Sequence, residues 1–332
     1  MRREGNLIER VAAWENLQSA LLKAARGKSD RGDVRRFRED RDLRLRQLRD
    51  GILNGTVPVG NHRFFWVRDP KLRRICAACF EERVLHHALM NVCGPFLDRA
   101  LIDDCFACRP GKGREAALMR AQHFSRRYGW YLKLDIRKYF DSINHGVLRT
   151  QLERRLKDRG VLGILERIIG SYSAGASGQG LPIGHLTSQY FANGYLGPLD
   201  RWIRETRGLS GYVRYMDDFA VWSNEPEVLR DVWAKVAEWL GLNLKLRLKD
   251  GGQLNRSGFG MPFLGYRVLP THFLLRPESR RRLFRRWQAR LQDYEEGALD
   301  ELHLQRRAES MLAFARFAST RGLRRRLADV VG

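Results

Sequence analysis

Acidic residues are scarce in this sequence: 38 Asp and Glu stand against 61 Lys and Arg, leaving a net charge of +23. Such a deficit implies a polyanionic partner, with nucleic acid first among the candidates. There is no apolar run of about 18 or more residues, so no membrane-spanning helix is expected. The basic residues are spread along the whole chain instead of being gathered on one segment, which argues against a membrane surface as the anionic partner. An apolar signal core is missing too. Met1-Arg2-Arg3-Glu4-Gly5 leads into an amphipathic stretch carrying Glu9, Arg10 and Glu15, so a cytoplasmic location is expected.

Cysteines number only five in 332 residues, an odd count that excludes a disulfide framework. Four of them form Cys76-x-x-Cys79 and Cys105-x-x-Cys108, a spacing that suits tetrahedral zinc. Cys76 and Cys79, however, fall on a strand-like segment, and free buried thiols are expected in place of a zinc site. No period of roughly 20 to 50 residues repeats, which excludes solenoids and propellers.

With 43% hydrophobic residues, the chain can bury a large core. Residues 5–53 read as helices, with Leu7, Val11, Trp14, Leu17 and Leu21 at helical spacing. Strand-like segments follow over 64–79, then a helical pattern from Glu82 to Val92 and a helix over 114–127. Trp130-Tyr131-Leu132-Lys133-Leu134-Asp135 alternates like a short strand. Helices are expected over 145–158, 187–205 and 226–241, with a Gly-rich loop at 174–180 and β units at 211–223 and 261–269. Pro277 opens basic helices that run to the C-terminus, the first carrying Leu283, Trp287, Leu291 and Tyr294 on one face. The domain plan read from this pattern is a basic helical extension over 1–60, a central body over 61–270 and a helical subdomain over 271–332.

Val213-Arg214-Tyr215-Met216-Asp217-Asp218-Phe219-Ala220-Val221 sets two adjacent acids between short apolar strands. Neighbours in one extended strand point to opposite faces, so a shared task for the two acids requires a tight turn, and a β-hairpin with carboxylates at its tip is expected. Two acids held together repel unless divalent cations lie between them. Phosphoryl transfer uses two such cations about 3.5–4 Å apart, bound by hard oxygen ligands that suit Mg²⁺. A third acid from another strand is then needed. Asp135, which ends its strand on the side of Lys133, is the candidate.

Seven successive segments between about residues 60 and 270 resemble reverse transcriptases of the group II intron branch. Pro70-Lys71-Leu72-Arg73 and Glu82-Arg83-Val84-Leu85-His86-His87-Ala88-Leu89 resemble its fingers motifs, and Cys108-Arg109-Pro110-Gly111-Lys112-Gly113 its Arg-Pro-Gly stretch. Lys133-Leu134-Asp135-Ile136-Arg137-Lys138-Tyr139-Phe140-Asp141 resembles the first catalytic palm motif, and Tyr215-Met216-Asp217-Asp218 the second. Phe263-Leu264-Gly265-Tyr266 is similar to the primer-grip hairpin.

The resemblance implies an α+β right-hand polymerase with fingers, a palm built on an antiparallel sheet, and a helical thumb over 271–332. It implies that Asp135, Asp217, Asp218 and the Ile136 carbonyl bind two Mg²⁺ ions, with Mn²⁺ as the substitute. Lys71 and Arg73 would grip the triphosphate, and Phe140 would act as the gate against a ribose 2′-hydroxyl. Arg and Lys pairing with phosphate oxygens, and a ring that leaves no room for a hydroxyl, agree with those roles.

Leu181-Pro182-Ile183-Gly184-His185-Leu186-Thr187-Ser188-Gln189 departs from the commoner pattern of Gln before this Gly and Ser-Pro at the end. With Ile183 and Ser188-Gln189 it resembles the enzymes of diversity-generating retroelements, which are bacterial or phage-encoded. That resemblance implies error-prone copying of a template RNA into cDNA mutated at adenines. Ile183, Gly184, Ser188 and Gln189 would lie at the nucleotide and templating base. The implied partners are template RNA, primer, cDNA product, dNTPs and a small basic oligomeric accessory variability protein. Alternatives are the reverse transcriptase of a retron, an intron or a phage-defence system, and a non-catalytic RNA-binding scaffold.

Overall fold

Apolar residues on several faces of one stretch, such as Phe80, Val84, Leu89, Met90 and Leu97, make the helix Phe80–Asp98 a central one, with neighbours all round. The computed structural model describes residues 5–68, 71–175 and 177–322, and Pro70 of the fingers-like motif lies outside them. Two compact units emerge, each assembled from separated segments. They interleave along the chain, whereas the regions expected from sequence, 1–60, 61–270 and 271–332, follow one another. Compact units follow pairing between distant segments, which composition does not display.

The first unit comprises Met1–Asp103, Asp135–Trp202 and Val236–Asp250. Against the central helix pack Trp14–Ala25 on one side and Leu186–Tyr195 on another. The N-terminal helices are tied in by Asp158, whose Oδ2 accepts from the amides of Leu7 (2.6 Å) and Ile8 (2.9 Å). Its Oδ1 caps a further helix, Arg159–Gly170, by accepting from Val161 N at 3.0 Å. The helix expected over 145–158 thus ends at Glu153, and a second helix that the sequence reading passed over starts after Asp158. The remaining landmark is a two-stranded antiparallel ribbon, β1 (His62–Arg68) and β2 (Leu72–Ala78). Isolated ribbons are marginal in water. This one is anchored at its base, where Cys76 N donates to Ile183 O at 2.8 Å.

The second unit comprises Asp104–Leu134, Ile203–Lys235 and Gly251–Gly332. Its four-stranded sheet uses β3 (Trp130–Asp135), β4 (Gly211–Tyr215), β5 (Asp218–Ser223) and β6 (Gln253–Arg256), in the order β4-β5-β3-β6. A three-stranded antiparallel sheet follows, of β7 (Met261–Phe263), β8 (Tyr266–Val268) and β9 (Phe273–Leu275). The helix Arg114–Arg127 packs on β4, β5 and β8 and shares their core through Phe124, whose ring centroid lies 5.5 Å from that of Trp222. Burying side chains of this size is worth roughly 1.5–3 kcal/mol each. Helices Pro277–Glu295 and Glu301–Arg316 close on a small core of Leu283, Trp287, Leu304 and Ala315. No helix among the described residues is long and apolar enough to cross a membrane.

Candidate active site

β4 and β5 pair antiparallel with Tyr215 opposite Asp218, so only Met216 and Asp217 form the loop. The expected hairpin with acids at its tip is therefore present. Met216 takes a φ of 60°, a conformation that hairpin loops normally give to Gly or Asn. A side chain there costs about 1–2 kcal/mol. Arg214 offsets this. It is fully buried, and its Nη1 donates to the carbonyl of Met216 at 2.9 Å, a charge-assisted bond across the turn. The strand itself is fixed to the chain before it, since Arg214 N donates to Asp104 O and Phe106 N to Arg214 O, both at 3.0 Å. Asp104 in turn is buried and ion-paired with Arg120 (2.6 Å) and Arg204 (2.7 Å). Arg214 is not among the residues expected at the site, and its sequence signal is a basic residue inside the apolar run Tyr212-Val213-Arg214-Tyr215.

The candidate carboxylates already attract cations. Lys133 Nζ lies 2.8 Å from Asp218 Oδ1, and Lys249 Nζ lies 2.9 Å from Asp135 Oδ2. Asp135 is the last residue of β3, where the chain passes from one unit to the other, and its carbonyl also accepts from Lys249 N at 2.9 Å. Ile136 is buried and bridges Leu248 in antiparallel fashion.

Within the first unit the motif after β3 and the segment 181–184 are joined through the main chain. Leu181 N donates to Phe140 O at 2.8 Å, and Ile183 O accepts from Cys76 of β2. Phe140 is partly exposed, with its ring edge-on to Tyr139 at 5.8 Å, and the Tyr139 hydroxyl donates to Ala192 O. Gly184 has a φ of 126°, and a Cβ built on it would stand 2.5 Å from Cys76 O. Gly184→Ala should thus push the ribbon off this loop and destabilise the protein by about 2 kcal/mol or more. A melting curve checks this: Tm should fall by several degrees, at about 2–4 °C per kcal/mol, and an unchanged Tm would contradict the contact.

Ser188 is buried in the helix Leu186–Tyr195, while Gln189 is exposed, so of these two expected contacts Gln189 is the one that solvent reaches. Lys71 and Arg73 are exposed at the tip and on the second strand of the ribbon. Beside them Phe64 (41% exposed) and Trp66 (65%) share one face of the ribbon with Arg68 and Arg74, and Phe65 (43%) stands on the other with Arg63. Arg74 stacks on the Phe64 ring at 3.9 Å. Aromatics interleaved with cations are what unpaired bases stack on. Three successive aromatics in a strand are the sequence signal for these exposed rings, since a lone ribbon cannot cover both faces.

The loop between β7 and β8 is again of two residues, because Phe263 faces Tyr266. Leu264 (φ 48°) and Gly265 (φ 91°) are both left-handed, the pattern of a type I′ turn. Phe263 and Tyr266 are buried, and the Tyr266 hydroxyl donates to Phe314 O at 2.7 Å. Their side chains hold the turn from inside, and Leu264 and Gly265 are its partly exposed residues.

The four cysteines singled out by spacing are free, with Cys76 and Cys105 buried, Cys79 half-buried and Cys108 exposed. The expectation of buried thiols thus needs correcting for Cys79 and Cys108. Cys79 precedes the first turn of the helix Phe80–Asp98, and Cys108 adopts a left-handed φ of 52° in a loop. Among the described residues, the side chains grouped closely enough to hold a metal ion are not this quartet but His62, Cys76 and His185, and Glu82, His86 and His185.

Residues 68–250 match the sequence profile of the reverse transcriptase (RNA-dependent DNA polymerase) family. The chain belongs to that family. Among curated relatives, YkfC of Escherichia coli (strain K12) is 24% identical over 276 residues, covering 68% of this chain and 71% of YkfC. Nuclear intron maturase 1, mitochondrial, of Arabidopsis thaliana is 25% identical over 166 residues, 49% of this chain and 22% of the maturase. Apo telomerase from Candida tropicalis superposes with a TM-score of 0.52 at 10% identity, over 67% of this chain and 49% of the telomerase chain. The chain thus spans most of YkfC but less than a quarter of the maturase and about half of the telomerase. Helices combined with antiparallel sheets, in this family, make the fold that of a right-hand polymerase.

Proposed function

We propose that this chain copies an RNA template into DNA by two-metal nucleotidyl transfer, as the reverse transcriptase of a diversity-generating retroelement. The observation that carries the catalytic part is the pair Asp217 and Asp218 on a two-residue turn, with β5 beside β3 in the sheet order and Asp135 at the end of β3. The donor set fits Mg²⁺, since carboxylates are hard oxygen ligands and those of Asp135 and Asp218 already draw ammonium groups to 2.9 and 2.8 Å. Asp135, Asp217 and Asp218 would hold the ions together with the Ile136 carbonyl. Bound there, such ions ease deprotonation of the primer 3′-hydroxyl and offset charge on the leaving pyrophosphate.

The chain's own groups then serve binding and selection. Lys71 and Arg73 would pair with the triphosphate, Phe140 would face the sugar, and Phe64 and Trp66, on one face of the ribbon, would stack template bases. Leu264 and Gly265 would bear on the primer. Template RNA, primer and dNTPs are the proposed ligands, and a small basic oligomeric accessory protein is the proposed partner.

Support for the retroelement comes from Ile183 and Ser188-Gln189. An isoleucine offers no hydrogen bond to the incoming nucleotide or templating base, so selection there rests on shape, and a missing polar contact is worth about 1–3 kcal/mol of preference. Ile183→Gln should therefore lower misincorporation opposite template adenine by roughly ten-fold, or about 1.4 kcal/mol. Sequencing of cDNA from a defined RNA reads this out. An unchanged spectrum in the variant would remove Ile183 from the mechanism. A wild-type enzyme without adenine bias would favour the second reading, a group II intron enzyme, which the likeness to an intron maturase supports.

A further inference from the structure

Five chemistry-bearing side chains outside the proposed active site meet inside the first unit. His62 enters from the start of β1 and Cys76 from β2. Glu82 and His86 stand one turn apart on the central helix, and His185 follows Gly184. All are withdrawn from water: the side chains of His62, Glu82 and His86 are 5%, 1% and 2% exposed, and Cys76 and His185 as residues are each 1% exposed. A buried polar atom without a partner costs free energy. Yet His62 Nε2, Glu82 Oε1, His86 Nε2 and His185 Nδ1 are all buried with no hydrogen-bond partner.

The spacing explains why. His86 Nε2 and His62 Nε2 lie 3.5 and 3.8 Å from Glu82 Oε1, and Cys76 Sγ lies 3.7 Å from His185 Nε2. The two gaps to Glu82 are too long for good hydrogen bonds, whereas 3.7 Å from sulfur to nitrogen is a hydrogen-bond distance. That sulfur–nitrogen distance is also the edge of a ligand tetrahedron around zinc, about 3.3–3.7 Å for bonds of 2.0–2.3 Å. The ligand atoms of His62, Cys76 and His185 all lie within 4.8 Å of one another, as do those of Glu82, His86 and His185.

We infer that this cluster is a zinc site, in which Cys76 and the imidazoles of His62 and His185 bind one ion, a water would take the fourth position, and Glu82 and His86 stand beside His185. One sulfur and two nitrogens form a donor set suited to Zn²⁺ and poorly suited to Mg²⁺. Binding replaces the thiol proton, which is released to solvent. An entry path exists, since a cavity lined by Ala78, Arg83, His87, Gly184 and Gln189 also reaches His86 and His185.

The ion would join the base of the β1–β2 ribbon and the residue after Gly184 at a single point, beside the central helix. It would be a structural ion, distinct from the catalytic pair.

The full chain, purified without chelator and with zinc in the growth medium, should carry about one equivalent of zinc per chain. The Asp217→Asn variant should keep it. X-ray absorption of the wild-type zinc protein should report one sulfur among nitrogen and oxygen neighbours. Cobalt exchanged into the site should give a thiolate charge-transfer band that Cys76→Ser abolishes and Cys79→Ser or Cys108→Ser leaves intact. The inference fails if the wild-type chain retains neither zinc nor cobalt at stoichiometric addition. It also fails if absorption reports four sulfurs, or if the band survives Cys76→Ser. Because the absorption measurement uses wild-type protein, a poorly folding variant does not rescue the idea.

Discussion

Asp217→Asn and Asp218→Asn should each abolish primer extension on an RNA template, lowering the rate by roughly a thousand-fold or more. A thousand-fold corresponds to about 4 kcal/mol of transition-state stabilisation, within what bound divalent cations supply in phosphoryl transfer. The fold should survive. Asp218 is partly exposed, with Lys133 as its partner, and a partly exposed ion pair is worth about 0–1 kcal/mol. The turn is held by Arg214 through the Met216 carbonyl, which neither variant touches. Primer extension with Mg²⁺, next to a melting curve on the same preparations, gives the answer. A variant extending primers at even a tenth of the wild-type rate would mean that the metal ions are held elsewhere, and the scaffold reading would gain if the wild-type enzyme made no cDNA.

Phe140→Ala should raise incorporation of ribonucleotides relative to deoxyribonucleotides by about 10- to 100-fold, or about 1.4–2.8 kcal/mol of lost discrimination. The ring is partly exposed, while its own carbonyl is fixed by Leu181 N and its neighbour Tyr139 is anchored on Ala192. Truncation therefore removes bulk without releasing the backbone, so deoxyribonucleotide incorporation should fall much less. Single-nucleotide incorporation with paired dNTP and rNTP substrates measures the ratio. If the ratio stays put, Phe140 is not the sugar gate.

Much of the architecture was legible in the residues. The acid pair between apolar strands predicted its own tight turn, because adjacent carboxylates can share a task only if the strand reverses. Other elements left weaker traces. Helix Arg159–Gly170 carries Val161, Ile164, Leu165, Ile168 and Ile169 at helical spacing, but Gly160 and Gly163 depress its propensity. Strand β6, Gln253-Leu254-Asn255-Arg256, has no apolar alternation and owes its form to pairing with β3. The histidine cluster was hidden for a different reason. Only Glu82 and His86 are near in sequence, and Cys76 meets histidines from 14 residues before it and 109 after it, not the cysteine three residues away whose spacing drew attention.

Asp158 also sets an order of assembly. Its carboxylate receives the amides of Leu7 and Ile8, contacts made across 151 and 150 residues. During synthesis the first helices therefore wait, undocked at that end, until nearly half of the chain has left the ribosome. Closing so long a loop is slow relative to local helix formation. Their apolar faces, with Val11, Leu17 and Leu21, are uncovered meanwhile, at the stage when a nascent chain is most open to nonspecific association.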